Sequence, residues 1–469
     1  MSGQGKKKMG SLEEHRRRTV RVLLAVCVVA VVAIAAVLAV ALGSAEEPTQ
    51  NAIATTSPQP TPVTPSPQVV PVPTDAPMPS EAGIAAAIGL AVANPDLGKF
   101  SGVVADALTG KVLWSVDPST PMTPASTTKI LTAGAALLKL PLDHRVSTTV
   151  VAGSVPGQVV LVGGGDPTLT ATPKGQSGYY ANAAHIADLV DQIKASGTAV
   201  DSVVVDSSLF KGETMAKGWF DADVAAGYIT PIESVMIEGG RFDGTKDESP
   251  RSETPALDAG KVLAKELGID ESKVSAGVAP AGAKPIATVQ SAPLSDRLMQ
   301  MMDHSDNVLA ETIGREVAIA SGIEASFAGA VDATGKTLQA AGFGYTGVSL
   351  FDSSGLSVDD LIPAEVLDRV MTAAAGDGDP KLRPLLDYLP VAGGTGSLSD
   401  RYASGNRTGA GWVRAKTGTL STASALSGFV VDQNGRVLTF ALMSNDRPPE
   451  VSRPALDAIA GALRNCGCQ

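Results

Sequence analysis

The sequence predicts an α/β (α+β) fold: an antiparallel sheet flanked by helices, assembled from both ends of the body, with a mixed strand-and-helix module inserted between. Three observations predict it. A hairpin pattern stands at the front, at Gly102–Ala107 and Lys111–Val116 around the turn Leu108-Thr109-Gly110. Three alternating apolar runs stand at the back, at Gly411–Ala415, Ala423–Asp432 and Arg436–Met443, with Asp432-Gln-Asn-Gly as the last turn. Helical patterns fill the space between, so the two strand groups must pair across the chain to form one sheet.

Taken in order, Glu81–Val92 is Ala-rich and helical, and Ser126 to Leu138 starts a helix after Pro124. Residues 145–210 change character. Arg145–Ala152, Gln158–Val162 and Ser202–Val205 read as strands, and Ala183–Ala195 reads as a helix with Ile186, Leu189, Val190 and Ile193 on one face. Residues 211–252 match neither period. Ala256–Leu267 is helical, Ser291–Asp303, Val308–Ala320 and Ala325–Ala341 form a helix-rich run, and Pro454–Leu463 closes the chain. The expected organisation is a basic segment 1–21, an apolar span 22–42, a Pro/Thr-rich linker 43–80 and a body in three parts, 81–145, 146–285 and 286–469, the middle one mixing strands and helices.

Composition sets limits on function. The chain has 469 residues, 44% of them apolar and only 4% aromatic, with 49 Gly and 31 Pro. The net charge of −11 is uneven: residues 1–21 carry seven Lys/Arg against two Glu, so the body is strongly acidic. An acidic body argues against nucleic acid as a partner. Three cysteines and four scattered histidines give no zinc-site spacing, so no metal and no other cofactor is expected. Val22–Leu42 contains no charge, Gly or Pro, and at 1.5 Å per residue it spans about 31 Å, enough to cross a bilayer core. The preceding basic cluster orients it with the N-terminus cytoplasmic and the body exported. A cleaved signal peptide ending near Ala45 is the alternative. The Pro-rich stretch that follows is a polyproline-type spacer, able to reach roughly 100 Å from the membrane. The cysteines of the Cys466-Gly-Cys468 tail could close a small ring, pair between chains or sit in a frayed terminus.

The chemistry lies in three short motifs. Ser126-x-x-Lys129 puts a hydroxyl at a helix start and an amine one turn on; a partly desolvated Lys there can accept the Ser proton. Alone this spacing is common. Ser305-Asp306-Asn307 stands at a junction of two helices, where the same residues also serve as an N-cap. Lys416-Thr417-Gly418-Thr419 stands in the strand-rich end, where Gly lets a ligand approach a strand edge. His304 adjoins Ser305, but as a chain neighbour it reads as a helix-end residue, not as a base. SxxK, SDN and KTG in this order are the motif set of penicillin-binding proteins and class A β-lactamases.

Further stretches narrow the resemblance. Gly165-Asp-Pro-Thr-Leu169, Phe351-Asp-Ser-Ser-Gly-Leu-Ser357 and Gly394-Thr-Gly-Ser-Leu398 resemble signature segments of the low-molecular-mass class C penicillin-binding proteins, which are serine D-alanyl-D-alanine carboxypeptidases and endopeptidases. The resemblance runs from about residue 85 to 463. It implies the penicillin-binding/β-lactamase-like transpeptidase fold and explains the roughly 180 residues between Ser126 and Ser305 as that family's inserted domain. The insertion is short for the family's nested pair, so a second inserted subdomain is expected to be reduced or absent. The resemblance further implies an acyl-enzyme on Ser126 and Lys129 as base. Ser305, near Lys416, relays a proton; Asn307 holds the substrate amide; Lys416, Thr417, Gly418 and Thr419 bind the terminal carboxylate. The backbone N–H groups of Ser126 and Thr419 form the oxyanion hole. Peptidoglycan stem peptides are the implied substrates and β-lactams the implied inhibitors. The chain departs from the family at Ser353, where Gly is usual, and at Val358, where Arg is usual. The alternatives are a class A-like β-lactamase, for which Glu324 is a poor deacylating residue, and a non-catalytic envelope scaffold.

Overall fold

A computed structural model describes residues 75–468. The basic segment, the expected membrane span Val22–Leu42 and most of the Pro-rich linker lie outside the described residues. Among the described residues, no helix is long and apolar enough to cross a membrane.

The first elements are helix α1 (Glu81–Val92), capped by the Ser80 hydroxyl, and strands β1 (Lys99–Asp106), β2 (Val112–Val116) and β3 (Pro121–Met122). Helix α2 (Lys129–Lys139) follows a 3₁₀ turn at Ala125–Thr128. The next segment contributes β4 (Ser147–Ala152), β5 (Gln158–Val162), α3 (Ile186–Ala195), β6 (Ser202–Asp206), the single turn α4 (Ala222–Ala225), α5 (Pro255–Leu267), β7 (Val274–Ala276) and β8 (Pro285–Gln290). Then come α6 (Leu294–Asp303), α7 (Asn307–Ala320), α8 (Phe327–Ala340), β9 (Ile362–Pro363) and α9 (Ala364–Ala375). The chain closes with β10 (Arg414–Leu420), β11 (Ala423–Val431), β12 (Val437–Asn445) and α10 (Pro449–Arg464).

Both ends of the body do build one sheet. Its order is β10-β11-β12-β1-β2, every pair antiparallel, with Val104 opposite Phe440 and Leu426 opposite Leu442. Period-2 alternation sends successive side chains into different cores. Leu438, Phe440 and Leu442 join α1 and α10 on one face, while Ala441 and Met443 join α2, α7 and α9 on the other. The sheet is therefore the middle of three layers. Helix α7 is buried on every side, from Val308 to Ala318. The second sheet, β7-β6-β5-β4-β8, is mixed: β5, β6 and β7 run parallel, and β4 is antiparallel to β5 and β8. Helices α3 and α5 cover one face, with Leu189, Ile193 and Leu263 in its own core.

Several boundaries differ from the sequence reading. The body begins before residue 81: Ala76 is buried, and its carbonyl accepts from Arg436 Nη1 at 2.9 Å. The strand expected at Gly411–Ala415 runs instead from Arg414 to Leu420, so it contains the whole Lys-Thr-Gly-Thr motif. The last helix starts at Pro449, with Pro454 inside it. The C-terminal tail is not frayed. Cys466 and Cys468 are joined by a disulfide, Cys466 is buried, and the Cys468 carbonyl accepts from Ser80 N at 2.9 Å.

Candidate active site

Ser126 lies in the 3₁₀ turn that precedes α2, with Ala125 before it held at φ +47°. A left-handed Ala is strained and persists only where its surroundings fix it. Strand β10 supplies part of that fixing. A Cβ on Gly418 would lie 2.5 Å from Pro124 O and 3.1 Å from Ala125 Cβ, so the Gly lets the strand press against the nucleophile turn. That corrects the expected reason for the glycine: the close approach is made by the protein's own backbone.

Lys129 is completely buried at the first position of α2. Its Nζ lies 3.2 Å from Ser126 Oγ and donates to Asn307 Oδ1 at 2.6 Å and to Ser354 O at 2.8 Å. The latter two oxygens only accept. A neutral Lys129 amine would spend both its N–H bonds on them, leaving its lone pair toward the Ser126 hydroxyl. The orientation of Asn307 is itself fixed, because its Nδ2 donates to Tyr228 O at 3.0 Å and a carbonyl cannot donate in return. Asn307 therefore serves Lys129 first. The expected hold on the substrate amide is left to its second N–H, because the side-chain oxygen is committed to Lys129 and one N–H to Tyr228.

Burial lowers the Lys129 pKa to about 8, against an opposing pull from the carboxylates of Asp352, Asp306 and Glu311. Repulsion between the two amines is felt at Lys416. That amine is pushed well below its ordinary range, first by burial and then by Lys129. Lys416 is also fully buried, with Nζ donating to Thr417 O at 3.1 Å, so it lies beneath the cleft floor and not on it.

The cleft above has a volume of about 760 Å³. Ser126, Ser305, Asn307, Thr417 and Thr419 line it, together with Tyr228 and Arg241 from the second-sheet segment. Thr417 and Thr419 are two residues apart on β10, an outer strand of its sheet, and so project to the same side. The Thr417 hydroxyl is 2.8 Å from that of Ser397, in the Gly-Thr-Gly-Ser-Leu stretch. Ser305 has φ +59°, and Asp306 caps α7 by accepting from Leu309 N at 2.9 Å. The capping and site readings of this motif are thus both realised. His304 ends α6 and packs its ring on Tyr179 at 5.5 Å, as a helix-end residue.

The Asp-Ser-Ser-Gly-Leu-Ser loop has a buried organiser. Asp352 accepts from the N–H groups of Ser354, Gly355 and Ser357 at 3.0, 2.6 and 2.7 Å, and from Trp219 Nε1 at 2.7 Å. These bonds hold the Ser354 carbonyl that faces Lys129. Ser353, the departure from Gly, donates its N–H to Glu311 Oε1 at 2.9 Å. Its side chain lies against Gly314 of α7, where a Cβ would collide with it. Glu311 is buried beneath, and burial together with Asp352 pushes its pKa up to about 8. Val358, the other departure, lines the cleft. Sequence reasoning missed Tyr228, Arg241 and the Ser354 carbonyl. Two of these act through backbone oxygens, which leave no side-chain signature.

Known proteins resemble this chain over most of its length. The model of the D-Ala-D-Ala carboxypeptidase 3 (S13) family matches residues 84–249 and 243–466. A carboxypeptidase of Mycobacterium tuberculosis is 54% identical over 380 residues, covering 80% of this chain and 82% of its own length. Carboxypeptidase DacB of Mycolicibacterium smegmatis is 51% identical over 417 residues, or 88% and 90% of the two chains. Penicillin-binding protein 4 of Haemophilus influenzae shares the fold with a TM-score of 0.67 at 21% identity, covering 82% of this chain and 98% of that one. The same protein, solved with a bound β-lactam, superposes with a TM-score of 0.61 at 19% identity, covering 78% and 95%.

Proposed function

This chain belongs to the D-Ala-D-Ala carboxypeptidase 3 (S13) family, and on that premise we propose that Ser126 is the residue its substrates acylate. The enzyme is a serine-type D-Ala-D-Ala carboxypeptidase. The observation that carries the residue roles is the Lys129 environment, in which two obligate acceptors direct a neutral amine's lone pair at Ser126 Oγ.

Ser126 Oγ attacks the carbonyl of the penultimate D-Ala while Lys129 takes its proton. The backbone N–H groups of Ser126 and Thr419 receive the developing oxyanion. The C–N bond breaks, and the terminal D-Ala amine leaves with a proton relayed through Ser305. Water then hydrolyses the ester on Ser126. Thr417 and Thr419 hold the terminal carboxylate, with Lys416 beneath them adding positive potential when protonated. Peptidoglycan stem peptides are the substrates, and one site serves carboxypeptidase and endopeptidase cleavage alike. β-Lactams acylate the same serine, a reading supported by the β-lactam complex of the structurally similar protein. The uncharged stretch Val22–Leu42, with basic residues before it and a Pro-rich spacer after it, supports a single-pass anchor in the cell membrane and a catalytic body exported to the wall side.

A reporter penicillin tests the site. Ser126→Ala should lose covalent labelling and peptide hydrolysis by about four orders of magnitude or more while keeping its circular dichroism and melting profile. Covalent labelling retained by the folded variant would reject Ser126 as the nucleophile.

A further inference from the structure

The segment between β6 and α5 grips the Ser-Asp-Asn motif at two points. Arg241, whose side chain is fully buried, pairs with Asp306 Oδ2 through Nη2 at 3.1 Å. The Tyr180 hydroxyl donates to that same oxygen at 2.8 Å and accepts from Arg241 Nη1 at 2.8 Å. Arg241 is held in turn. Its guanidinium stacks on the Tyr179 ring at 3.8 Å, its Nε donates to Asp247 O at 3.1 Å, and the Tyr179 hydroxyl donates to Asp247 Oδ1 at 2.7 Å. At the second point the Tyr228 carbonyl takes the Asn307 amide. That stretch is pinned by Arg251, which donates through Nε to Gly227 O at 2.8 Å and through Nη1 to Gly239 O at 2.6 Å.

Immediately before these two gripped residues stands Ser305, in a left-handed conformation. A non-glycine residue keeps that conformation only when neighbours over-determine it. Asp306, immediately after it, spends one carboxylate oxygen on the α7 cap and the other on Tyr180 and Arg241. Within the motif, the cap alone would leave the second oxygen buried and unpaired.

We propose that Tyr180 and Arg241 are positioning residues of the active site: acting through Asp306, they set the placement of Ser305 and Asn307, so the inserted segment completes the catalytic centre. The inference rests on the acylation of Ser126 read above. Neither residue touches the reacting atoms. A displacement near 1 Å of a positioned group can cost about a hundredfold in rate. Removing one partner of a buried ion pair also leaves the other charge uncompensated.

The test uses the full-length protein in detergent with a chromogenic or fluorescent penicillin. Saturation kinetics separate the non-covalent binding constant from the acylation rate constant, and the burst amplitude counts competent sites. Arg241→Met should lower the acylation rate constant roughly 10- to 100-fold per competent site, with the binding constant changed by less than about threefold. Tyr180→Phe keeps the ring and deletes only the hydroxyl, so it decides the matter if Arg241→Met fails to fold; a loss of about 3- to 10-fold is expected. Arg241→Met combined with Asp306→Asn should acylate faster than Arg241→Met alone, because no unpaired charge remains buried. Wild-type rate constants in both single variants, or a loss confined to burst amplitude, would overturn the proposal. So would losses in the double variant that simply multiply. The Ser126→Ala control keeps the two readings apart: labelling that persists there removes the site assignment itself, whereas its loss alongside normal Tyr180 and Arg241 variants removes only this inference.

Discussion

Two walls border the cleft, and they are built by different means. One is β10, an outer strand of the five-stranded sheet, with Thr417 and Thr419 on its cleft side. Its position follows from an unbroken antiparallel register with β11, from Arg414 opposite Phe429 to Leu420 opposite Ala423. The other wall comes from residues 211–252, where regular structure is limited to single turns. There, buried Arg241 and Arg251 tie backbone oxygens together across the chain, and Arg241 also holds the Asp306 carboxylate. A ladder places its residues through repetition. An irregular wall must place each one with a specific polar contact, and such a wall has no spare partners when one is removed.

Changing the regular wall should have the largest effect on catalysis. Gly418→Ala puts a methyl group against Pro124 O and Ala125 Cβ, where backbone cannot yield cheaply. Strand and nucleophile turn must separate, and acylation should fall about a hundredfold in a protein that still folds. Stopped-flow acylation alongside a melting curve measures both. An unchanged rate would show that the close approach of β10 to Ala125 is irrelevant to Ser126.

A contact in the same sheet but away from the cleft should separate stability from rate. Arg436 pairs with Asp106, whose side chain is fully buried, through Nε at 2.5 Å and Nη2 at 2.8 Å. Burial opposes the charged form of Asp106, but hydrogen bonds from Arg436 and Thr109 outweigh it and hold its pKa below the ordinary value. Arg436→Met should cost about 3 kcal/mol in urea unfolding, with the acylation rate of the folded protein unchanged. Because the Asp106 pKa is lowered on folding, the stability it supplies is present above about pH 4 and is lost as pH falls through the folded value. The smallest effect belongs to the second sheet's core. Ile193→Val trims a fully buried methyl group on α3 and should cost about 1 kcal/mol, again with normal acylation. A rate loss there would mean that the whole inserted sheet, and not just its irregular segment, shapes the site.

The same contrast explains what could be read in the sequence. The sheet built from both ends was legible because β1, β11 and β12 alternate cleanly between two cores. The helix face Ile186, Leu189, Val190 and Ile193 was legible because its spacing matches the helical period. The start of β10 was misplaced: Lys-Thr-Gly-Thr reads as polar, yet Lys416 is buried by the sheet and by Lys129's surroundings. Helix α9 went unassigned, although its buried face includes Leu367, Val370 and Met371. Of the site, Ser126, Lys129, Ser305, Asn307 and the β10 threonines were legible through motif order. Residues 211–252 were not, because their interior is held by Arg241, Glu238, Arg251 and glycines, and a polar interior leaves no periodic signal. Nor could spacing reveal that Asn307 faces Lys129. That follows from Tyr228, almost eighty residues away in sequence.

Most directly at stake is whether a buried, neutral Lys129 is the base. With its pKa lowered to about 8, roughly a tenth of Lys129 is neutral at pH 7, and the neutral fraction grows as pH rises. The decisive measurement is the acylation rate constant with a reporter penicillin from about pH 5 to 10 for wild type, Lys129→Ala and Lys129→Arg. Wild type should rise tenfold per pH unit and level off above about pH 8. Both variants should be slow and lack that rise, because Arg keeps the charge but holds its proton to above about pH 12. An active Lys129→Arg enzyme with the wild-type pH profile would contradict the assignment and leave Lys129 as a source of charge alone.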